Sequence, residues 1–180
     1  MENFLQEYNI DHWLVKFIVI ILVIITINIS TRIILNYLKK QSKKTSNVWD
    51  DCVINSFYRP FTILVWILGI VFTLEAFNKD FKVINISHEF LVNIKRAGII
   101  FSIALFLNNL SRNFQIAIIE NNKNNSIDVD EATYEAISKI IRLSIIITSG
   151  LIILQTFGFS ISGVLAFGGI GGVAVGFAAK

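Results

Sequence analysis

Long apolar runs alternate with short polar stretches along the chain, and this alternation is the strongest pattern in the sequence. A helix needs about 20 such residues to cross the roughly 30 Å hydrocarbon core of a bilayer. Runs of this length favour helices, because lipid offers no partners for unpaired backbone groups. The pattern predicts an all-α membrane protein with five transmembrane helices, at about 14–38, 60–77, 97–118, 137–157 and 161–179.

Three of these spans carry more specific signals. Pro60 suits the first turn of a helix, so the second span is predicted to begin there. Arg112 interrupts the third span, and an arginine at mid-bilayer costs at least about 2.5 kcal/mol. Its side chain must therefore reach an interface, or the helix must tilt or pack inside a bundle. Asp128, followed by Glu131, resembles an N-cap with a carboxylate reaching back and predicts the start of the fourth helix.

Composition supports the membrane assignment and excludes several other classes. The chain is 54% hydrophobic and 16% charged, against about 25% charged residues in soluble domains. A single cysteine, Cys52, excludes an intrachain disulfide framework. The formal net charge of +3 does not indicate nucleic acid, because no basic face is interleaved with stacking aromatics. Lys and Arg instead concentrate in loops, in a distribution that predicts the N-terminus outside and the C-terminus inside.

Catalytic and metal chemistry find no support in the sequence. His12 and His88 lie in polar flanks, and no third metal ligand is spaced near either of them. No serine–histidine–aspartate set and no pair of intramembrane carboxylates is present. We therefore expect no enzyme activity, no cofactor and no metal.

The last span is unusually rich in glycine, which costs about 1 kcal/mol against alanine inside a helix in water. In membranes, small residues let helix backbones approach closely. Two rows with a period of four run along different sides of this helix, which suits a helix packed between two copies of itself, as in a ring. The first row is Gly168, Gly172 and Gly176, and the second is Ala166, Ile170, Ala174 and Ala178.

Other readings of these glycines stay open. Gly169-x-Gly171-x-x-Ala174 formally fits a dinucleotide fingerprint, but that motif belongs between a strand and a helix, not inside an apolar run. A two-helix dimer face is a competitor, since Gly-x-x-x-Gly spacing is typical of such faces. A broken transporter helix would require paired segments in repeated halves, and the sequence shows no internal repeat.

The stretch from Ala136 to Lys180, with its LQTFGFSISGVLAFGGIGGVAVGFAAK, resembles the end of the membrane domain of small-conductance mechanosensitive channels. The stretch from Asp50 and Asp51 to Pro60 resembles that of the family's longer, five-span members. The resemblance implies peripheral helices over 1–135 and channel-core helices over 136–180. It also implies a final helix that lines a pore at the centre of a homoheptamer. The cytoplasmic β-rich domain that follows in the family is not expected within these 180 residues.

By position, the resemblance assigns the pore gate to Val173 and Phe177 and the inner pore mouth to Lys180. The family's usual residue at both gate positions is leucine, so valine and phenylalanine leave the closed radius open. Packing against neighbouring helices or lipid is the alternative role for both side chains. The residues implied to pack the pore helices together are Ala166, Gly168, Gly169, Gly171, Gly172, Ala174, Gly176 and Ala178.

The function that the resemblance implies is ion conduction opened by membrane tension, releasing ions on osmotic downshock. The expected partners are identical subunits, membrane lipids and permeating ions, in a bacterial-type plasma membrane. A non-conducting scaffold or accessory subunit, assembled through the glycine-rich helix, is the alternative. A small-solute transporter is the third possibility.

Overall fold

The computed structural model describes residues 12–42, 48–81, 86–124 and 130–179. These residues form five helices joined by short connections, and no strand occurs among them. All five are long and apolar enough to cross a bilayer, which confirms the predicted all-α, multi-pass membrane fold. The helices are α1 (His12–Ser42), α2 (Val48–Phe81), α3 (His88–Asn124), α4 (Glu131–Thr156) and α5 (Ile161–Ala178).

The second and third helices extend well beyond the apolar runs from which they were predicted. The third, expected over 97–118, has 37 residues and is therefore about 55 Å long, nearly twice the roughly 30 Å hydrocarbon core. Its ends must project past that core. Arg112 is exposed and lies twelve residues before the end of α3, so its charge can reach a headgroup layer without breaking the helix.

The predicted helix start at Pro60 is wrong, because α2 begins at Val48 and Pro60 lies inside it. A proline inside a helix cannot donate to the carbonyl four residues earlier, here that of Ser56. Contacts with α3 surround this point. The Ser102 hydroxyl donates to the Pro60 carbonyl at 2.8 Å, and the Asn113 amide donates to the Ser56 hydroxyl at 2.7 Å. Packing against α3 therefore holds the helix across its proline.

The N-cap of α4 is Asp130 and not the predicted Asp128, which lies outside the described residues. The Asp130 carboxylate accepts from the backbone N–H groups of Ala132 and Thr133, at 3.1 and 3.4 Å. Glu131 is consequently the first residue of the helix, not its third. A second cap-forming residue two positions along the chain made the sequence signal ambiguous.

Helices α1 to α4 form a layer in which each helix packs against the one that precedes it in sequence, whereas α5 makes only a few contacts, with α4. Two glycines allow close approach within this layer. A Cβ on Gly69 would overlap the Ile24 side chain of α1, and a Cβ on Gly98 would lie 2.6 Å from Cγ2 of Ile67 on α2. Most large apolar side chains of the layer are exposed, as expected for helices that face lipid.

A charged pair joins α2 and α3 near the C-terminal end of α2 and the N-terminal end of α3. The Lys95 ammonium lies 2.6 Å from the Glu75 carboxylate, and both side chains are about one-quarter exposed. Lys95 also lies 4.6 Å from the centre of the Phe72 ring, within range of a cation–π interaction. The pair therefore fixes the register of the two helices at one membrane boundary.

Charged residues bound an uncharged segment of equal length in each of the first three helices. The uncharged segments cover 17–31, 60–74 and 97–111, each 15 residues long, or about 22 Å of helix. The charged residues that bound these segments form two belts on the layer, one at each end of the segments. One belt contains Lys16, Glu75, Lys95 and Arg96, and the other contains Arg32, Arg59 and Arg112.

Candidate pore helix

The turn between α4 and α5 is built by Gly158, which has a φ of +89° in the left-handed region that favours glycine. Its N–H donates to the carbonyl of Gln155 at 2.9 Å, and the N–H of Phe159 donates to the carbonyl of Leu154 at 3.1 Å. This pair of bonds is a Schellman motif, which ends a helix with its last carbonyls satisfied. It lets the chain reverse within four residues, 157–160, before α5 begins.

The turn is attached to the layer through aromatic and polar contacts. The ring of Phe157 packs against that of Phe90 near the start of α3, with centroids 6.2 Å apart. Nearer the start of α4, the hydroxyls of Ser138 and Ser111 lie 3.3 Å apart, and Ser138 is buried against α3. The position from which α5 departs is therefore set by α3 and α4 together.

Helix α5 stands apart from the rest of the protein. It has 18 residues and is therefore about 27 Å long, close to the thickness of the hydrocarbon core. Ile161 is half-buried, and every other residue of α5 whose side chain is described is exposed. The helix carries no charged side chain. It is long enough to cross a bilayer, yet one copy of the chain gives it almost no packing partner.

The glycines of α5 face open space. A Cβ built at any of them would have no neighbouring atom within 4 Å, apart from the helix's own nearby backbone. Ala166, Ala174 and Ala178 are exposed as well. The structure therefore places all predicted packing residues on α5, and among the described residues no other helix packs against them. The glycines concerned are Gly168, Gly169, Gly171, Gly172 and Gly176.

The two predicted gate residues are among the most exposed side chains of α5. Val173 is 60% exposed and Phe177 is 77% exposed. Their positions differ by four in the sequence, so the two side chains project only about 40° apart around the helix. Ile170 is 73% exposed and belongs to the same face by its i, i+3, i+7 spacing with Val173 and Phe177. Lys180, the predicted inner pore mouth, lies outside the described residues.

Ile170 is a residue whose place on this face the sequence reasoning missed. Its spacing of four to Ala166 and Ala174 places it equally in the second row, whose other members are all small. The spacing of three to Val173 was the available signal, since both spacings place residues on neighbouring parts of a helix surface. Three large side chains of α5 thus form one exposed stripe: Ile170, Val173 and Phe177.

The chemistry that α5 offers is limited to shape and apolarity. It has no titratable side chain between Ile161 and Ala178. Across the residues that the structure describes, no group of three or more His, Cys, Asp or Glu side chains could hold a metal ion. A wall of this kind can exclude water and ions or pack against a neighbour.

Comparison with known proteins shows which family has a helix pair of this kind. Residues 139–180, which contain most of α4 and all of α5, match the family model for the mechanosensitive ion channel, transmembrane helices 2/3. The low conductance mechanosensitive channel YnaI of Escherichia coli K12 is 32% identical over 120 residues, covering 67% of this chain and 33% of that protein. No solved structure matches the chain significantly.

A second relative aligns with nearly the whole chain. The small-conductance mechanosensitive channel MscMJ of Methanocaldococcus jannaschii is 24% identical over 170 residues, covering 94% of this chain and 48% of that protein. The chain therefore spans less than half the length of both relatives. Together, the family match at the α4–α5 hairpin and these relatives identify the chain as a member of the small-conductance mechanosensitive ion channel family.

Proposed function

We propose that this chain is the membrane part of an ion channel that opens under membrane tension. The observation that carries the proposal is the isolation of α5, an uncharged helix of membrane length whose glycines have no neighbouring side chain within 4 Å in the described part of the chain. A helix with small residues on several sides suits a position between identical neighbours. In this proposal, copies of α5 surround a central pore, and the layer α1–α4 faces lipid.

Assembly into a homo-oligomeric ring gives the small residues of α5 a role. Rows on different sides of one helix would contact the two adjacent subunits, which a single helix pair cannot achieve. The family resemblance suggests seven copies. The residues proposed to form these contacts are Ala166, Gly168, Gly169, Gly171, Gly172, Ala174, Gly176 and Ala178.

The stripe of large side chains is the proposed closed gate. With Val173 and Phe177 turned toward the axis, each copy would add to two apolar rings one helical turn apart. Such rings obstruct ions by expelling water from a narrow bore, even where the bore is not sterically closed. The exposure of both side chains in one copy supports this role, because neither is needed to pack the chain's own core.

Opening is proposed as a shift between two states that differ in cross-sectional area. Tension favours the wider state in proportion to the difference in area, so the closed population falls as the membrane is stretched. The exposed apolar surface of α1–α4 would couple that stretch to α5 through the short turn at Gly158. The physiological consequence would be ion efflux when external osmolarity drops.

Orientation follows from the distribution of basic residues. Short loops rich in Lys and Arg stay on the cytoplasmic side, and Lys39, Lys40, Lys43 and Lys44 all lie between α1 and α2 or at their ends. We therefore propose a plasma-membrane protein with its N-terminus outside and its C-terminus inside. Lys180 would then be near the inner mouth of the pore and would favour anions modestly, which reversal potentials in a salt gradient would test.

The experiment that tests the proposal is patch recording under graded suction, with the full chain reconstituted in defined lipid. Stepwise currents that appear only under tension are expected. Silence from a protein shown to be inserted and oligomeric would contradict conduction and favour the non-conducting scaffold. The oligomeric state must therefore be measured on the same preparation, for example by cross-linking in the vesicles.

Polar substitution of the stripe separates a gate from a packing surface. Val173→Ser and Phe177→Ser should lower the opening tension, because a hydroxyl lets water wet the closed bore. Val164→Ser is the matched control: it is the same change on the same helix, nine residues away and therefore on the opposite face. An equal shift in all three variants would show that α5 stability, and not wetting of a gate, controls opening.

A further inference from the structure

A second site, remote from α5, is a basic cleft between α1 and α2. We define the basic cleft by its lining residues Arg32, Leu35, Asn36, Lys39, Ile54, Asn55, Tyr58 and Arg59. Its volume is about 260 Å³, slightly below the roughly 300–1,000 Å³ of typical small-molecule sites. The pore proposed above uses none of these residues.

The polar side chains of the basic cleft are mainly hydrogen-bond donors. Arg32, Lys39 and Arg59 carry three positive charges, and the Tyr58 hydroxyl and Asn36 amide can also donate. No carboxylate is among its lining residues in the described part of the chain. The side-chain oxygen of Asn55 already accepts from the Lys39 ammonium at 2.9 Å. The ligand that satisfies such a set is an anion with several acceptor oxygens, and arginine pairs readily with phosphate.

The depth of the basic cleft points to a lipid. Arg32 and Arg59 are the residues that bound the uncharged segments 17–31 and 60–74, so they lie where the uncharged part of the layer ends. This is the level at which headgroups meet the hydrocarbon core. Leu35 and Ile54 provide apolar surface within the same cleft. Ile29, one turn before Arg32 within the uncharged segment of α1, is 54% exposed and can border an acyl chain.

From this combination of charge, donors and depth, we propose that the basic cleft binds the phosphate headgroup of an anionic lipid such as phosphatidylglycerol. The phosphodiester oxygens accept from Arg32, Arg59 and Tyr58, and the acyl chains leave along the apolar surface of α1. The site would tie α1 to α2 through a lipid. It does not depend on conduction or on the oligomeric state of α5, so each proposal can fail without the other.

Native mass spectrometry of the full chain, released from micelles containing equal amounts of phosphatidylglycerol and phosphatidylcholine, tests the proposal. The chain is expected to retain the anionic lipid preferentially. Arg32→Gln combined with Arg59→Gln should reduce that preference about fivefold for each arginine removed. Arg32→Lys with Arg59→Lys keeps the charge and should retain most of the preference, although lysine cannot form the bidentate contact.

The matched control removes two arginines from α3, which does not line the cleft. Arg96 and Arg112 bound the uncharged segment 97–111, so Arg96→Gln with Arg112→Gln removes equal charge, with Arg112 in the same belt as the cleft arginines and Arg96 in the opposite belt. An equal loss of preference in this control would overturn the site, because it would reveal only general attraction to anionic lipid. Unchanged preference in the Arg32 and Arg59 variant would overturn it as well.

A soluble phosphate is the other source of the same chemistry, and a separate titration distinguishes it. Inorganic phosphate added in excess to lipid-depleted protein should raise the Tm less than phosphatidylglycerol does. Circular dichroism of every variant shows whether the helices are intact. If inorganic phosphate stabilises the protein as well as the lipid does and also displaces the lipid, the ligand is a soluble anion and the lipid proposal is wrong.

Discussion

Glycines serve opposite purposes in the two regions of this molecule. In the layer α1–α4, Gly69 and Gly98 are buried, and a side chain from the next helix occupies the space that a Cβ would need. In α5, five glycines between 168 and 176 are exposed and have no such neighbour within 4 Å. In the layer, the two helices that form each of these close contacts belong to the same chain. The contacts that would suit α5 require another copy of the chain.

This difference separates two kinds of stability. Contacts inside the layer contribute to the folding of a single chain, whereas the small residues of α5 are proposed to contribute when chains associate. Substitutions in the two regions should therefore affect different measurements. The following predictions use that separation, starting with the largest expected effect.

A branched side chain at Gly98 should damage the fold of the single chain. Gly98→Val places atoms against Cγ2 of Ile67, whose β-branched side chain has little rotational freedom in a helix. Overpacking of this kind costs about 1–3 kcal/mol. The free energy of unfolding, measured by denaturant titration in micelles with circular dichroism, should fall by an amount in that range.

Gly172→Val is the matched variant in α5, and it should leave the same free energy of unfolding nearly unchanged. Its expected effect is a loss of oligomer, measured by cross-linking in vesicles, because the added methyls separate neighbouring helices. If Gly172→Val destabilised the single chain as strongly as Gly98→Val, the contrast between the two regions would be wrong. If it left the oligomer intact, Gly172 would lie outside the subunit contact.

The sequence predicted the features that depend on long apolar runs. Hydropathy fixed the number and type of the helices, and the glycine spacing marked α5 as the unusual one. Hydropathy could not locate the helix ends of α2 and α3, because their polar ends continue the helix outside the apolar run. It also could not show that Gly98 meets Ile67, since the pairing of faces depends on how the helices cross.

Pro60 and Asn113 illustrate the limits of local signals. Proline in a first turn and proline inside a helix look alike in sequence when polar residues precede it, and only the contacts with α3 distinguish them. The hydrogen bond from Asn113 to Ser56 joins residues 57 positions apart, which no local pattern reveals. The gate residues Val173 and Phe177 stay predictions for a different reason: their proposed partners are on other copies of the chain.

The charged pair between α2 and α3 offers a second test inside the layer. Glu75→Gln leaves the Lys95 ammonium without its carboxylate, at a point where both side chains are about one-quarter exposed. The cost should be about 1–2 kcal/mol, between that of an exposed pair and that of a buried one. Denaturant unfolding in micelles measures it, and the double exchange Glu75→Lys with Lys95→Glu should recover part of the loss.

The pair also sharpens the contrast with α5, which has no charged side chain between Ile161 and Ala178. High salt should narrow the difference between wild type and Glu75→Gln, because ions screen the pair. The same salt should leave unchanged the oligomeric state that α5 is proposed to set. An oligomer that dissociates in salt would indicate that charges outside α5 hold the copies together.

A smaller effect is expected from the hydrogen bond at the proline segment of α2. Ser56→Ala removes the acceptor of the Asn113 amide, at a position where Ser56 is fully buried. Hydrogen bonds between membrane helices contribute about 0.6 kcal/mol on average, so the free energy of unfolding should fall by about that amount. Thr73→Ala is the control, since its hydroxyl bonds only within α2, to the carbonyl of Gly69. A larger loss for Thr73→Ala would contradict the role of the bond to α3.

The smallest predicted effect concerns the start of α4, the helix that connects the two regions. The Asp130 carboxylate accepts from the side chain of Thr133 and from the backbone N–H groups of Thr133 and Ala132, and these bonds lower the pKa of Asp130. A lowered pKa in the folded state means that the cap is fully formed above the ordinary aspartate pKa. It is lost only as the pH falls through the lowered value.

The amide chemical shift of Thr133 in micelles should therefore titrate with a midpoint below about 3.9, the value of an unperturbed aspartate. Asp130→Asn keeps a side-chain oxygen that can cap the helix but has no carboxyl to protonate, so that titration step should disappear while the helix start stays ordered. Asp130→Ala should release the first turn of α4 at every pH. Because Phe157 and the turn to α5 lie at the far end of α4, neither variant should change the tension at which the proposed channel opens. A shifted threshold would mean that the first turn of α4 transmits force to α5 along the whole helix, and the layer and α5 would then behave as one mechanical unit.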